Sequence, residues 1–207
     1  PHADTDWAYM LPEVTECYLR LAFEIATRQP LLIVAPNVEQ VKALIDERLP
    51  QRATDNIRYF SCPTNDTWAR DHGFITVEEN GQLILLDFKF NGRGEKFAAE
   101  LDNDINRQLY EQQLVKGIYE SHLDFVLEGG SIESDGKGTI FTTTCCLMAP
   151  HRNQPLTQQE IDQQLKEWLG AERIVWINHG SLIGDDTDGH IDTLVRIAPN
   201  DTLLYIG

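Results

Sequence analysis

Three tight-turn signals, Asn80-Gly81, Asp135-Gly136 and Pro199-Asn200, divide most of this chain into copies of one pattern, and that recurrence limits its fold more than any other feature. Each turn lies between short runs rich in β-branched and apolar residues. Asn-Gly and Asp-Gly supply the positive φ angles that a two-residue hairpin needs. In the first copy Ile57 to Phe60 reads as a strand, a polar loop ends at Asp71, and Phe74 to Val77 and Leu83 to Leu86 flank the turn. In the second, Phe125 to Leu127 leads to Glu128-Gly129-Gly130, and Thr139 to Thr143 follows the turn. In the third, Ile174 to Ile177 leads to an acidic segment, and Leu203 to Ile206 follows the turn. The copies share a pattern and no appreciable identity, so the repeat is one of structure.

Helical periodicity fills the intervals. Leu11 to Thr27 carries Val14, Cys17, Leu21 and Ile25 at helical spacing. Asn37 is placed to cap a helix running to Arg48, with Val38, Val41, Leu44 and Ile45 on one face. Phe97, Leu101, Ile105 and Leu109 recur every four residues. From Thr157 to Leu169, Thr157 and Glu160 form a capping box, Ile161, Leu165, Trp168 and Leu169 form an apolar stripe, and Gly170 ends the helix. Strands alternating with helices define an α/β architecture, expected as a single domain over residues 1–207.

Charge narrows the partners. The net charge is −16, with 33 acidic against 17 basic residues. Affinity for nucleic acid and for anionic membranes comes mainly from Lys and Arg, so neither is expected as a partner, whereas small cations are attracted. No apolar run approaches the ~20 residues of a membrane-spanning helix. Cys17, Cys62, Cys145 and Cys146 show neither a C-x-x-C spacing nor a zinc pattern, which leads to the expectation of a reduced, cytoplasmic protein without a cofactor. Homo-oligomerisation is admitted by the sequence and not required by it. The start at Pro1 without Met and the end at Gly207, directly after a strand-like run, suggest a chain cut at both ends.

The segment Gly184 to Asp192 concentrates chemistry, with four carboxylates, one imidazole and two glycines in nine residues. On a strand, His190 and Asp192 at i and i+2 would point the same way. A calcium loop fails by register: with Gly189 as its glycine, the first and twelfth positions fall on Gly184 and Val195, neither a ligand. A metal-dependent hydrolase on Asp186, Asp188, His190 and Asp192 lacks further ligand motifs. The placement of the polar residues is more telling. Asp71, Glu128 and the His190/Asp192 pair each stand at the entrance to the middle strand of their copy. If the copies surround a pseudo-symmetry axis, three carboxylates and one imidazole meet at one place.

Four ordered motifs carry a family resemblance. They are Thr67-Trp68-Ala69-Arg70-Asp71; Leu127-Glu128-Gly129-Gly130-Ser131-Ile132 with Asp135-Gly136 and Gly138-Thr139; Cys146-Leu147 through Arg152-Asn153; and Gly184 through Asp192. Together they resemble the agmatine deiminases, grouped with the Porphyromonas-type peptidylarginine deiminases among the guanidine-modifying enzymes. The resemblance implies a pentein-type α/β propeller with pseudo-fivefold repeats, about three of its five blades being present. It implies that Asp71 and Asp192 grip the guanidinium, that His190 is the general acid and base, and that Glu128 is a carboxylate beside both. It further implies hydrolysis of agmatine to N-carbamoylputrescine and ammonia through a cysteine thiouronium, in polyamine (putrescine) formation, without metal.

The family's nucleophile is a cysteine in a C-terminal glycine-rich segment preceded by a histidine, and these 207 residues contain no such segment. Cys62, ahead of Pro63, is the nearest substitute, while Cys145 and Cys146 read as inert thiols after an apolar strand. The chain by itself is therefore expected to be inactive. A second departure is Gly73-Phe74, where the family has Gly-Pro. For the cationic tail of agmatine the candidates are Asp186 and the ring of Trp68, with Pro1-His2-Ala3-Asp4 as a further lining segment. The alternatives are protein citrullination, which needs a pocket open at the tail end, and a guanidine-binding propeller without catalysis. A related propeller occurs in a ribosome-associated translation factor, but the acidic charge disfavours RNA.

Overall fold

The computed structural model describes residues 7–180 and 182–206. It separates into two compact units, one ending at Thr67 and one beginning at Trp68. In the first unit, helix α1 (Leu11–Ala26) is followed by strand β1 (Leu31–Ala35), helix α2 (Val38–Arg48) and strand β2 (Ile57–Ser61). The strands pair in parallel, Leu31 opposite Ile57, which requires a long crossover, and α2 provides it. Asn37 caps α2 as expected, its side-chain oxygen accepting from the Gln40 N–H at 3.2 Å. Helix α1 buries a different face from the one its spacing suggests. Leu19, Ala22 and Ala26 are buried, with Phe23 packed beside them, whereas Cys17 and Leu21 are exposed. Residues 19, 22, 23 and 26 satisfy the helical period as well as 14, 17, 21 and 25 do. Periodicity alone does not choose between them; packing does.

The second unit repeats one module. Strands β3 (Ile75–Glu79) and β4 (Gln82–Lys89) form a hairpin across Asn80-Gly81, whose φ angles of 51° and 78° are those the turn demands. Helix α3 (Asp102–Glu111) then carries the chain to β5 (Ile118–Val126), which adds to β4 in parallel. The same order recurs in the hairpin β6 (Ile132–Ser134) and β7 (Thr139–Thr143), helix α4 (Gln158–Leu169) and parallel strand β8 (Arg173–Ile177). A last hairpin joins β9 (Val195–Ala198) to β10 (Thr202–Tyr205), its turn reaching one residue further than Pro199-Asn200, with Asn200 and Asp201 both at positive φ. The architecture is α/β.

This grouping corrects the sequence reading by one strand. The strand that opens each sequence copy belongs to the sheet behind it: β2 pairs with β1, β5 with β4, and β8 with β7. A parallel partner lies a helix away in sequence, so proximity along the chain assigns it to the wrong hairpin. The polar loops of the sequence copies are therefore links from one sheet to the next. A second correction concerns the helix signalled from Phe97, which starts only at Asp102 and leaves Phe97 and Leu101 exposed. The core of this unit gathers Leu86, Phe88, Phe125, Leu127, Ile140, Leu147, Ile161 and Leu165, each worth roughly 1.5–3 kcal/mol when fully buried. The α4 stripe lies in it as expected, with Trp168 edge-on to Phe125 at 5.0 Å.

Candidate active site

Each link into a new hairpin contains one turn of helix: Ala69–His72 before β3, Gly129–Ser131 before β6, and Ile191–Thr193 before β9, among the described residues. These turns carry or adjoin the polar residues singled out above. Asp71, Glu128 and His190 are buried, at 7%, 1% and 2% exposure, well below what solvated charges show, and Asp192 is partly buried. The backbone at the last link is not the strand expected there. His190 is extended (φ −50°, ψ 134°) and Asp192 lies in a 3₁₀ turn. The shared direction of their side chains thus comes from a bend between them and not from strand alternation.

Gly130 shows how closely the groups approach. A Cβ placed on it would lie 2.5 Å from His190 Nδ1, 2.7 Å from Asp71 Oδ1 and 2.9 Å from Asp192 Oδ2. Two carboxylates and one imidazole therefore converge on one point beside the Gly130 backbone, where any side chain would collide with all three. The neighbouring Gly129 has another role: a Cβ there would come 2.0 Å from the carbonyl oxygen of Arg70. The Gly-Gly pair is thus needed once for close backbone approach and once to let the three polar groups converge. The Gly130 N–H donates to Asp71 Oδ1 at 3.1 Å and orients that carboxylate.

Behind the imidazole, His190 Nε2 and Glu128 Oε2 are 2.8 Å apart, while Nδ1 faces Asp71 Oδ1 at 3.5 Å. Glu128 also receives the Arg152 guanidinium at 2.5 Å and the backbone N–H of Arg93 at 2.7 Å. Burial opposes the Glu128 charge, but His190 and Arg152 outweigh it and hold the carboxyl below its ordinary range. Burial likewise opposes a charged His190. Hydrogen bonds to the Cys146 sulfur and to Glu128, with the fields of Cys146 and Asp71, overcome it and push the imidazole up to about 10. An imidazolium at neutral pH is a proton donor in waiting. Asp192 is raised, first by burial and then by Asp71, against the opposing pull of His190. The Asp192 charge is thus a costly one, set beside the carboxylate of Asp71.

The other candidates are placed differently. Asp186 is exposed, and its backbone carbonyl accepts from Lys96 Nζ at 2.8 Å. The ring of Trp68 is 53% exposed, so it is not a core side chain. Pro1-His2-Ala3-Asp4 lies outside the described residues. The acidic segment is dispersed in role. Asp185 closes its turn by accepting from the N–H groups of Thr187 and Gly189, and Asp188 pairs with Lys96 and Arg152. His190 and Asp192 of that segment supply two of the three atoms nearest a Cβ at Gly130.

Sequence reasoning assigned no role to three residues of this cluster. Arg152, with a side chain 1% exposed, ties Glu128 to Asp188, to the Thr187 carbonyl and to Asn91. Cys146 is buried as expected, but against His190 rather than in an inert apolar setting. Arg93 lies 3.3 Å from Asp71. Arg152 and Cys146 stood in a quoted motif, and a buried arginine needs a carboxylate, so Glu128 was a readable partner. Nothing in the sequence signalled Arg93.

Known proteins resemble this chain in sequence and in fold. The model of the Porphyromonas-type peptidyl-arginine deiminases matches residues 1–207. A Legionella pneumophila (strain Paris) protein with the provisional name agmatine deiminase is 40% identical over 99% of this chain and 58% of its own length. A variant of the C. jejuni agmatine deiminase, solved with substrate bound, superposes with a TM-score of 0.86 at 38% identity, over 99% of this chain and 59% of that one. A Porphyromonas gingivalis structure with the provisional title arginine deiminase reaches a TM-score of 0.89 at 46% identity, over 99% and 60%. The chain thus spans less than two thirds of the relatives it matches, and it carries their fold throughout. On the match of the family model to all 207 residues, the chain belongs to the Porphyromonas-type peptidyl-arginine deiminase family.

Proposed function

We propose that the protein is a guanidine deiminase acting on agmatine, a hydrolase of the C–N bond of a linear amidine. The observation that carries this reading is the meeting of Asp71, Asp192 and His190 around Gly130. A guanidinium is planar, with N–H donors along its edges, and two carboxylates hold it by charge-assisted hydrogen bonds while keeping its carbon electrophilic. A thiolate attacks that carbon. His190 gives its proton to the departing nitrogen, ammonia leaves, and a thiouronium remains. Water then attacks the same carbon, His190 accepts one of its protons, and the C–S bond breaks to release the thiolate, while the second proton passes to the released ammonia or to solvent and leaves N-carbamoylputrescine. Glu128, fixed by Arg152, keeps the imidazole oriented and supports its charge through both halves. The product lies on the route to putrescine.

In this reading the attacking sulfur comes from a cysteine of the complete protein outside these residues, and the hairpin–helix–strand modules are blades of a five-bladed propeller. The 207 residues taken alone bind guanidines without turnover. Trp68 and Asp186 meet the cationic tail of agmatine, by ring contact and by charge. A cytoplasmic setting suits cysteines held as thiols. Agmatine, free arginine and an arginine-containing peptide, assayed for ammonia release by the complete protein, test the assignment. Agmatine should be the fastest. Faster turnover of the peptide would transfer the protein to citrullination, and binding of agmatine with no ammonia from any substrate would leave a binding protein only.

A further inference from the structure

Arg93 places a guanidinium of the protein's own beside the carboxylate assigned above to a substrate guanidinium. Its side chain is 7% exposed, and Nη2 lies 3.3 Å from Asp71 Oδ2. The other oxygen of Asp71 accepts from Gly130 and faces His190. Both oxygens of Asp71 are thus engaged within the protein. Asp192 makes no side-chain hydrogen bond among the described residues, and the two halves of the clamp are in different states. We propose that Arg93 is a resident counter-cation of the clamp, a specificity-setting residue that exchanges Asp71 with the incoming guanidinium. The inference rests on the guanidine-deiminase reading.

The local backbone is built to present this side chain. Gly92, Arg93, Gly94 and Glu95 have φ angles of 63°, 58°, 83° and 65°, a left-handed run that L-residues avoid as consecutive positions. Such strain persists only where the surroundings impose it. Here a Cβ on Gly92 would meet the Phe97 carbonyl oxygen at 2.0 Å, and the Arg93 N–H is spent on Glu128 at 2.7 Å. One residue therefore touches Glu128 with its backbone and Asp71 with its side chain. The Arg93 guanidinium also lies 5.5 Å from the Phe97 ring and 6.0 Å from the Phe90 ring. Those rings already flank the guanidinium in its place beside Asp71, so part of its charge is met by their faces and not by the carboxylate alone.

The charges of the cluster suit such an exchange. Asp71, Asp192, Glu128 and Asp188 stand against Arg93, Arg152, Lys96 and a charged His190, so the cluster is balanced before a substrate arrives and an added guanidinium competes with a resident cation. A substrate on Asp71 and an Arg93 still in place would put two guanidinium groups on one carboxylate. Like charges at that range repel, so the substrate gains Asp71 only as Arg93 withdraws. Removing the Arg93 charge should then tighten cation binding.

The test uses the complete protein with Arg93→Met and Arg93→Lys. Arg93→Met should lower the KM for agmatine by about tenfold and change kcat by less than about threefold, the signature of altered binding rather than altered chemistry. Arg93→Lys keeps the charge and should remain near the unmodified KM. An unchanged or raised KM in folded Arg93→Met, with agmatine turned over normally by the unmodified protein, would overturn the inference and make Arg93 an anchor of its loop. A measurement on unmodified protein covers a variant that fails to fold: the Arg93 side-chain Nε–H resonance should move as guanidinium chloride is titrated in. A resonance that stays fixed through saturation overturns the exchange. Absence of turnover with every guanidine tried would instead count against the deiminase reading.

Discussion

At the scale of single residues, Gly130 marks the point at which two acidic residues far apart in sequence, Asp71 and Asp192, come together. Asp71 is oriented by a backbone N–H and Asp192 is destabilised as an anion by burial and by Asp71. Asp71→Asn or Asp192→Asn in the complete protein should each weaken guanidine binding by roughly 2–5 kcal/mol, the cost of truncating one side of a buried charge pair. Near-normal affinity by calorimetry in either variant would remove the clamp. Protons report the same event. A bound guanidinium favours the ionised form of Asp192, so its raised pKa falls back on binding and protons are released at mildly acidic pH. Calorimetry in buffers of different ionisation enthalpy should show that release, and uptake would contradict it. Asp71, Glu128, His190 and Asp192 were legible because they recur at matched positions. Arg93 was not, because the turn after β4 that carries it belongs to none of the motifs or hairpin entrances that the sequence marks.

At the scale of elements, helix ends were the most readable features and strand partners the least. The capping box of α4 is formed on both sides, Thr157 Oγ1 accepting from Glu160 N–H at 3.3 Å and Glu160 Oε2 accepting from Thr157 N–H at 2.7 Å. Gly170 ends the helix in the left-handed conformation, φ 62°. Thr157→Ala should therefore cost about 1 kcal/mol, within the range of roughly 0.5–2 for such caps, and leave guanidine affinity unchanged. Urea unfolding alongside agmatine titration separates the two, and a loss of affinity would mean that α4 positions the site. Strand β5 shows the other side. Ile118–Val126 carries Glu120, Ser121 and Asp124 among its apolar residues, and only its end from Phe125 reads as a strand. It forms because β4 offers it a parallel edge, which no local pattern records.

At the scale of the whole molecule, the buried pair of Glu128 and His190 links stability to pH. Glu128 titrates below its ordinary 4.5, so its contribution is present above that pH and is lost as pH falls through the lower folded value. His190 titrates above its ordinary 6.5, at about 10, so its contribution is complete below 6.5 and is lost as pH rises through about 10. Urea midpoints measured from about pH 3 to about pH 11 should form a plateau with both limbs falling. Glu128→Gln should shorten the alkaline side, because His190 loses the partner that raises it. A midpoint that climbs with alkalinity would contradict the pairing. What the sequence determined by itself was local: turn chemistry, helix caps, the alternation of strands and helices, and four polar residues at matched entrances. Those follow from backbone preferences and spacing within a few residues. Tertiary structure alone decided which face of α1 is buried, which hairpin each parallel strand joins, and that Arg93, Cys146 and Arg152 attach to the site. Those outcomes depend on contacts between segments tens of residues apart, where several pairings satisfy the same local pattern and only packing and the cost of an unpaired buried charge select one.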